Sequence, residues 1–299
     1  MYLVEIPEKE HEAIRRLLEL MSISGELFKS LGLDPLFSWY LIEVRTDDWH
    51  LGLLPTDVDI LAGHLNWRDP KAFQFVLAEE VKSNPNTDPS RHRYIAYRKL
   101  AESGGINWPP FTDYLIGIEA KCAYLDPNAN EIKEDTIKSI KSSEKKVQKI
   151  QKQVEKLLSF GFDKVALLDM IANPPASGIK GQAWVTALNI STTSMEVMSR
   201  ILKQRLPEDS LAGHWVWSVG SIIGGDETKR GAGAPIELQK AHENKFLLVD
   251  TGVKTNRKKI EIVLNKIFTK FPFPKNFPVV LVDCRICGTI HRLEDACNS

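Results

Sequence analysis

Apolar residues recur along this chain at two different spacings, and the alternation between them predicts the order of helices and strands. Near the N-terminus they stand three or four positions apart with charged residues between them, which predicts one or two amphipathic helices over about residues 9–31. Two runs rich in strand-forming residues follow, at residues 39–45 and 51–63. Residues from about 65 to 110 are polar and aromatic with helical spacing, so they predict a helical insertion.

The alternation continues to the C-terminus. Residues 111–124 predict a strand, residues 132–159 the longest helix of the chain, and residues 165–171 another buried strand. The other predicted elements are helices at 70–82, 94–102, 193–205 and 256–270, and strands at 214–223, 246–250 and 279–283. Strands that alternate with helices in this way predict an α/β protein with a mixed sheet flanked by helices.

The composition adds two constraints. Of the 299 residues, 43% are hydrophobic and 26% are charged, which is typical of a soluble globular protein. Lysine plus arginine equals aspartate plus glutamate at 39 each, so local basic patches would have to hold any nucleic acid. The sequence shows no secretory signal, and no run reaches about 18 uninterrupted apolar residues. We therefore expect a cytoplasmic protein without a membrane partner.

Charged residues inside two predicted strands mark the candidate chemistry. Residues two apart in a strand project from the same face, so Glu119 and Lys121 share one surface. Asp57 and Asp59 share one surface of an otherwise apolar strand in the same way. One interpretation is an ordinary ion pair between Glu119 and Lys121 on a solvated face. The other is a functional site, since buried charges rarely lack a partner.

A site would form if the two strands pair. Asp59 and Glu119 could then bind one hard divalent cation, and Mg²⁺ is the best candidate because it prefers oxygen ligands and keeps several waters for a substrate phosphate. Beside this cation, Lys121 could hold the attacking water or stabilise negative charge in the transition state. Together these groups suit hydrolysis of a phosphodiester bond.

This pattern resembles the PD-(D/E)XK nuclease superfamily, in which an aspartate at a strand end precedes Glu-x-Lys in a later strand. The predicted order α-β-β-β-α-β over about residues 9–172 is also similar to the core of that family. The resemblance implies that Asp59 and Glu119 are catalytic metal ligands, that the carbonyl of Ala120 is a third metal ligand, and that Lys121 is the catalytic lysine.

Other acidic residues are alternatives or additions to this set. Asp57 and Asp113 could each take the place of Asp59, and Thr56 and Val58 stand where the family has the proline before its aspartate. Related enzymes often add one glutamate from an earlier position to the metal shell. The residues that could fill that role are Glu12, Glu26 and Glu43.

The resemblance also implies a fold and a function. We expect a restriction-endonuclease-like core over residues 1–205, with the insertion at about 65–110, and an α/β extension over residues 206–299 that is either separate or part of the same domain. The implied activity is that of a Mg²⁺-dependent endonuclease, with Mn²⁺ able to substitute, acting on DNA in restriction, repair or anti-phage defence. The alternative is a catalytically silent nucleic-acid-binding or assembly subunit. RNA as substrate, a homodimer and a partner protein all remain open.

Two further segments could contact nucleic acid. Lysines recur at three- and four-residue steps on the helix after Lys121, at positions 138, 141, 145, 149, 152 and 156. Such a row suits phosphate contacts, or it is simply a solvated face. In the insertion, Arg91 and its neighbours mix with Tyr97, Trp67 and Trp108, which could grip a strand by charge and stacking. The alternative is that these aromatic residues pack in the core.

A cysteine-rich segment ends the chain. Cys284, Cys287, His291 and Cys297 have a Cys-x2-Cys-x3-His-x5-Cys spacing close to that of a zinc knuckle. The first cysteine also ends an apolar run, where a buried cysteine is an ordinary small hydrophobic residue. The sequence leaves open whether this cluster binds zinc.

Overall fold

The helices and strands alternate along the chain in a computed structural model, which describes residues 14–15, 17–18, 21–45, 57–110, 112–124, 144–172, 202–222, 230–232, 235–272, 278–293 and 295. The helices are α1 (Met21–Ser30), α2 (Pro70–Ser83), α3 (Pro89–Glu102), α4 (Glu144–Ser159), α5 (Phe246–Val249) and α6 (Thr251–Thr269), with a 3₁₀ turn at Lys203–Arg205. The strands are β1 (Ser38–Arg45), β2 (Asp57–His64), β3 (Leu115–Tyr124), β4 (Lys164–Ala172), β5 (Gly213–Ile222), β6 (Arg230–Ala232), β7 (Ile236–Gln239), β8 (Val279–Asp283) and β9 (Ile290–Arg292). Within these ranges, none of the helices combines the length and apolar character needed to cross a membrane.

The described strands form one nine-stranded mixed sheet. Its order is β6-β5-β4-β3-β2-β1-β8-β9, and β7 also pairs with β5. The first three strands form an antiparallel meander, whereas β4 and β5 run parallel to β3. Strand β8, from near the C-terminus, runs parallel to β1 and belongs to the same sheet.

Each face of the sheet covers a separate hydrophobic core. On one face, α2, α3, α4 and α6 pack through buried residues such as Phe73, Tyr97, Leu157 and Phe268. On the other face, α1 and the helical residues before it pack against the alternate positions of the same strands. The predicted α/β class, with a mixed sheet flanked by helices, is therefore confirmed.

Most predicted elements are found close to their predicted bounds. The two helices of the insertion are α2 and α3, and α3 begins five residues earlier than predicted, at Pro89. Six predicted elements extend beyond the described residues, namely those at 9–31, 51–63, 111–124, 132–159, 193–205 and 214–223.

The prediction of a strand at residues 246–250 is wrong, because this segment forms the helical turn α5. The backbone N–H of Phe246 donates to the side chain of Asn244, and the Asp250 side chain accepts from Gly252 and Val253 to begin α6. Leu248 is exposed and is not packed in the sheet. The Asn244 hydrogen bond at the start of this segment and the Asp250 N-cap of α6 at its end thus oppose the strand preference of the apolar residues between them.

Gly117, two residues before Glu119 in β3, is required by a close contact. A Cβ atom at this position would lie 2.4 Å from Cδ2 of the buried Phe162 ring. We expect Gly117→Ala to lower the free energy of unfolding by about 1–3 kcal/mol, because the ring must shift within a packed core. Urea unfolding of the two proteins measures the change, and an unchanged midpoint would contradict the contact.

Candidate active site

Strands β2 and β3 bring the candidate aspartate and the Glu-x-Lys segment together. They pair as antiparallel neighbours, and the last pair of the ladder is Ile60 opposite Ile118, so Asp59 and Glu119 each lie next to that pair. The backbone N–H of Ala120 donates to Asp59 Oδ2 at 2.6 Å, across 61 positions of sequence. The strand pairing on which the predicted site depends is therefore present.

The ammonium group of Lys121 lies where the candidate metal ligands converge. Its Nζ atom is 2.5 Å from Glu119 Oε1, 2.7 Å from the carbonyl oxygen of Ala120 and 3.8 Å from Asp59 Oδ2. These are oxygen atoms of the three residues predicted to bind the metal. Oxygen atoms that surround one cationic group are also suited to a hard divalent cation such as Mg²⁺.

The three side chains differ in their access to solvent. The Glu119 side chain is 2% exposed, that of Asp59 13% and that of Lys121 24%. Glu119 and Lys121 thus form an ion pair, but not on a solvated face of the sheet. Because taking a carboxylate out of water is costly, a glutamate held in this way needs the positive charge beside it.

The two aspartates that could replace Asp59 lie elsewhere. Asp57 is exposed at the start of β2, where its Oδ2 is 3.0 Å from Arg285 Nη2. The prediction that Asp113 shares a strand with Glu119 is wrong, because Asp113 is exposed and β3 begins at Leu115. The Leu115 N–H donates to the Asp163 side chain at 2.7 Å, which ends the strand ladder there.

Of the three glutamates proposed as additional metal ligands, the structure places one next to the site. Glu12 lies outside the described residues, and Glu26 is exposed with its Oε1 2.7 Å from Lys29 Nζ. Glu43 is in β1, and the residues on either side of it pair with those on either side of Asp59. Glu43 is therefore level with Asp59 in the adjacent strand.

The backbone of Glu43 is unusual for a strand. Its φ angle is +61°, a left-handed conformation that residues other than glycine rarely adopt, and its side chain is buried with Oε1 3.3 Å from Arg15 Nε. Strained residues of this kind cluster at functional sites, because the surrounding fold must hold them in place.

A second buried charged cluster lies one strand away from Lys121. Asp169 of β4 is the register partner of Lys121, and its carboxylate contacts Arg205 Nη1 and lies 2.7 Å from His214 Nε2. All three side chains of this cluster are buried. Their contacts hold β4, β5 and the 3₁₀ turn together beside the candidate site.

The sequence interpretation did not single out this cluster. Asp169 stands in an apolar run, which is a signal of the same kind as that given by Glu119. Arg205 and His214 carry no such signal, because their partner lies 36 and 45 positions away and only the fold brings them together.

The segments considered for nucleic-acid contacts separate into surface and core. On α4, Lys149 and Lys152 are exposed while Ile150 is buried; Lys138 and Lys141 lie outside the described residues. In the insertion, the rings of Trp67 and Phe73 stack at 4.4 Å, and those of Tyr97 and Phe37 at 4.5 Å. Tyr97 is fully buried, so it packs in the core and does not present a stacking surface.

The C-terminal cysteines and histidine also come together. Ligand atoms of Cys284, Cys287 and His291 all lie within 4.8 Å of one another. Cys297, the last residue of the sequence pattern, lies outside the described residues.

The groups around Lys121 offer two kinds of chemistry at one place. The carboxylates of Asp59 and Glu119 and a backbone carbonyl are oxygen donors for a divalent cation, and the amine can donate hydrogen bonds to a water molecule or an anion. Glu43 supplies a further carboxylate in the neighbouring strand. In comparisons with known proteins, the chain matches no family model, no curated protein and no solved structure.

Proposed function

We propose that this protein is a metal-dependent nuclease that hydrolyses phosphodiester bonds of DNA. The observation that carries the proposal is the convergence of Asp59, Glu119 and the Ala120 carbonyl on the amine of Lys121. Oxygen ligands for a metal ion and an amine are both used in phosphodiester hydrolysis. Within this arrangement, the buried acid Glu119 and the amine of Lys121 both belong to the Glu-x-Lys segment.

The element order supports a restriction-endonuclease-like fold. Without the inserted helices α2 and α3, the chain runs α1-β1-β2-β3-α4-β4, with an antiparallel meander followed by a parallel strand. This is the α-β-β-β-α-β order of the PD-(D/E)XK core that the sequence resembles. In this proposal the inserted helices and the strands after β4 elaborate that core.

Asp59, Glu119 and the Ala120 carbonyl are the residues that would hold Mg²⁺, or Mn²⁺ in its place. Their donor set fits because all of the donors are oxygen atoms and they already face one cation. When bound, the ion would polarise the substrate phosphate and ease deprotonation of a water molecule. The Asp59 carboxylate is oriented for this role by the Ala120 N–H.

Lys121 has a separate task. Its long side chain carries a positive charge to the site, and the ammonium group has three hydrogen-bond donors. We propose that it orients the attacking water and stabilises the negative charge that develops on the phosphate oxygens. Exposed lysines of α4, such as Lys149 and Lys152, would hold the phosphate backbone without reading sequence.

The proposal is tested by cleavage assays on wild type and Glu119→Gln. Plasmid, linear duplex, single-stranded DNA and RNA are each incubated with Mg²⁺, Mn²⁺ or EDTA. We expect wild type to cut DNA only with metal and Glu119→Gln to lose cutting, because the amide is neutral and a poor metal ligand. The control is Glu102→Gln on α3, an exposed glutamate paired with Arg98, which should cut like wild type.

Two results would contradict the nuclease assignment. One is a folded wild-type protein that cuts no substrate with any metal. The other is a Glu119→Gln variant that cuts at the wild-type rate. Metal-independent DNA binding without cutting would instead support the catalytically silent subunit. The biological use of the activity, which we propose to be restriction, repair or defence, would then be tested in cells.

A further inference from the structure

The hairpin formed by β8 and β9 gathers two thiols and an imidazole. Cys284 follows β8, Cys287 lies in the turn, and His291 is in β9 opposite Val282. Their ligand atoms lie within 4.8 Å of one another, although the three residues come from three different parts of the hairpin. Cys284 is buried, and the other two are partly buried.

The backbone of the turn explains why the two cysteines meet. The Gly288 N–H donates to the Cys284 carbonyl at 2.9 Å, and the Cys284 N–H donates to the Thr289 carbonyl at 3.0 Å. Gly288 has a φ angle of +68°, which favours glycine and allows the chain to reverse directly after Cys287. The turn therefore returns the second thiol to the first.

The contacts of His291 direct its imidazole toward the neighbouring thiol. Nδ1 lies 2.8 Å from the carbonyl oxygen of Arg292, and a carbonyl can only accept, so Nδ1 carries the proton. Nε2 is buried and makes no hydrogen bond to a described nitrogen or oxygen atom, and the side-chain hydrogen-bond partner of the ring is the Cys284 thiol, whose place a metal ion would take. An imidazole held through one nitrogen by a backbone carbonyl is the usual arrangement of a zinc-binding histidine.

From this geometry we infer that Cys284, Cys287 and His291 bind a zinc ion. Thiolate and imidazole ligands select zinc over the hard cations that suit the carboxylate site. With Zn–S bonds of about 2.3 Å, two sulfur atoms of a tetrahedral site lie about 3.8 Å apart. The ligand atoms here lie within 4.8 Å of one another, so side-chain rotations that move them by about 1 Å would bring them to binding distance. The Cys287 Sγ, 3.1 Å from the Thr289 hydroxyl, can accept its hydrogen bond as a thiolate.

The ion would fix the hairpin against the strands of the candidate active site. Asp283, next to Cys284, accepts from the backbone N–H of Arg45 at 3.1 Å and from its Nη2 at 2.8 Å. Arg285 contacts Asp57 at the start of β2. Bound zinc would therefore cross-link the hairpin beside β1 and β2, with three described protein ligands and a fourth coordination position left for another group. This role does not require the protein to be a nuclease.

The test is metal analysis of the full-length protein. Protein purified under reducing conditions, loaded with Zn²⁺ and desalted is measured for zinc by mass spectrometry. We expect about one zinc ion per chain in wild type and in the control variant Cys122→Ser, and loss of that zinc in Cys287→Ser and His291→Ala. Cys122 is the matched control because it is a partly buried cysteine outside the hairpin.

A second measurement does not depend on the folding of the variants. Wild type loaded with Co²⁺ in place of zinc should show thiolate-to-cobalt charge-transfer absorption and the visible bands of a tetrahedral ion. Zinc-free wild type after loading, or zinc retained in both hairpin variants, would overturn the inference. So would a disulfide between Cys284 and Cys287 that persists in the reduced, zinc-treated protein.

Discussion

Replacing Lys121 by methionine is expected to lower metal-dependent DNA cleavage roughly 10²- to 10³-fold, the size of effect seen when one group that stabilises transition-state charge is removed. Methionine keeps an unbranched apolar stem and removes only the ammonium group. Single-turnover cleavage of plasmid DNA with saturating Mg²⁺ measures the chemical step. The control is Lys29→Met on α1, an exposed lysine paired with Glu26, which should retain the wild-type rate.

Measurements of metal binding distinguish the role of Lys121 from that of the carboxylate ligands. Lys121 Nζ contacts Glu119 Oε1 and the Ala120 carbonyl, so it competes with a metal ion for the same oxygen atoms. We therefore expect Mn²⁺ to raise the unfolding temperature of wild type and of Lys121→Met, but not that of Asp59→Asn. A Lys121→Met protein that cuts at the wild-type rate, or a folded one that Mn²⁺ no longer stabilises, would contradict the assigned role.

Asp169→Asn is expected to lower the free energy of unfolding strongly. It removes the carboxylate that contacts both Arg205 and His214 while keeping the volume of the side chain. Breaking a buried ion pair from one side costs about 3–5 kcal/mol, because the remaining charge stays out of water. The unfolding temperature should fall by several degrees, which differential scanning calorimetry measures.

The matched comparison is Glu102→Gln, which breaks the exposed pair with Arg98 on α3 and should change the unfolding temperature little. A second variant, Asp169→Leu combined with Arg205→Met, removes both charges and should be more stable than Asp169→Asn. If Asp169→Asn unfolds at the wild-type temperature, the carboxylate does not hold a buried charge in the folded protein.

The candidate site could be predicted from sequence because its signal is local. Strict alternation places Glu119 and Lys121 on one face of β3, and Ile118 and Ala120 on the other face, where both are fully buried. The apolar residues beside Asp59 mark a strand in the same way. The site then requires only that these two strands pair.

Other features could not be predicted, because they depend on distant contacts. The sequence does not show that Glu43, and not Glu12 or Glu26, is level with Asp59; that follows from the register of β1 against β2. Nor does it show that Arg205 and His214 approach Asp169. At residues 246–249 the local preference for strand was misleading, since side-chain hydrogen bonds of Asn244 and Asp250 at the two ends of the segment favour a helical turn.

The pairing of β8 with β1 has a consequence for how the protein is made. Arg45 and Asp283 are joined by a hydrogen bond across 238 positions of sequence, so one neighbour of β1 is synthesised long after the other. At roughly 5–20 residues per second, a ribosome needs on the order of ten to fifty seconds to cover that distance. During this interval the edge of β1 that pairs with β8 has no partner strand, which favours pairing with other nascent chains. Efficient production of this fold should therefore depend on chaperones that cover the β1 edge until the C-terminal hairpin emerges.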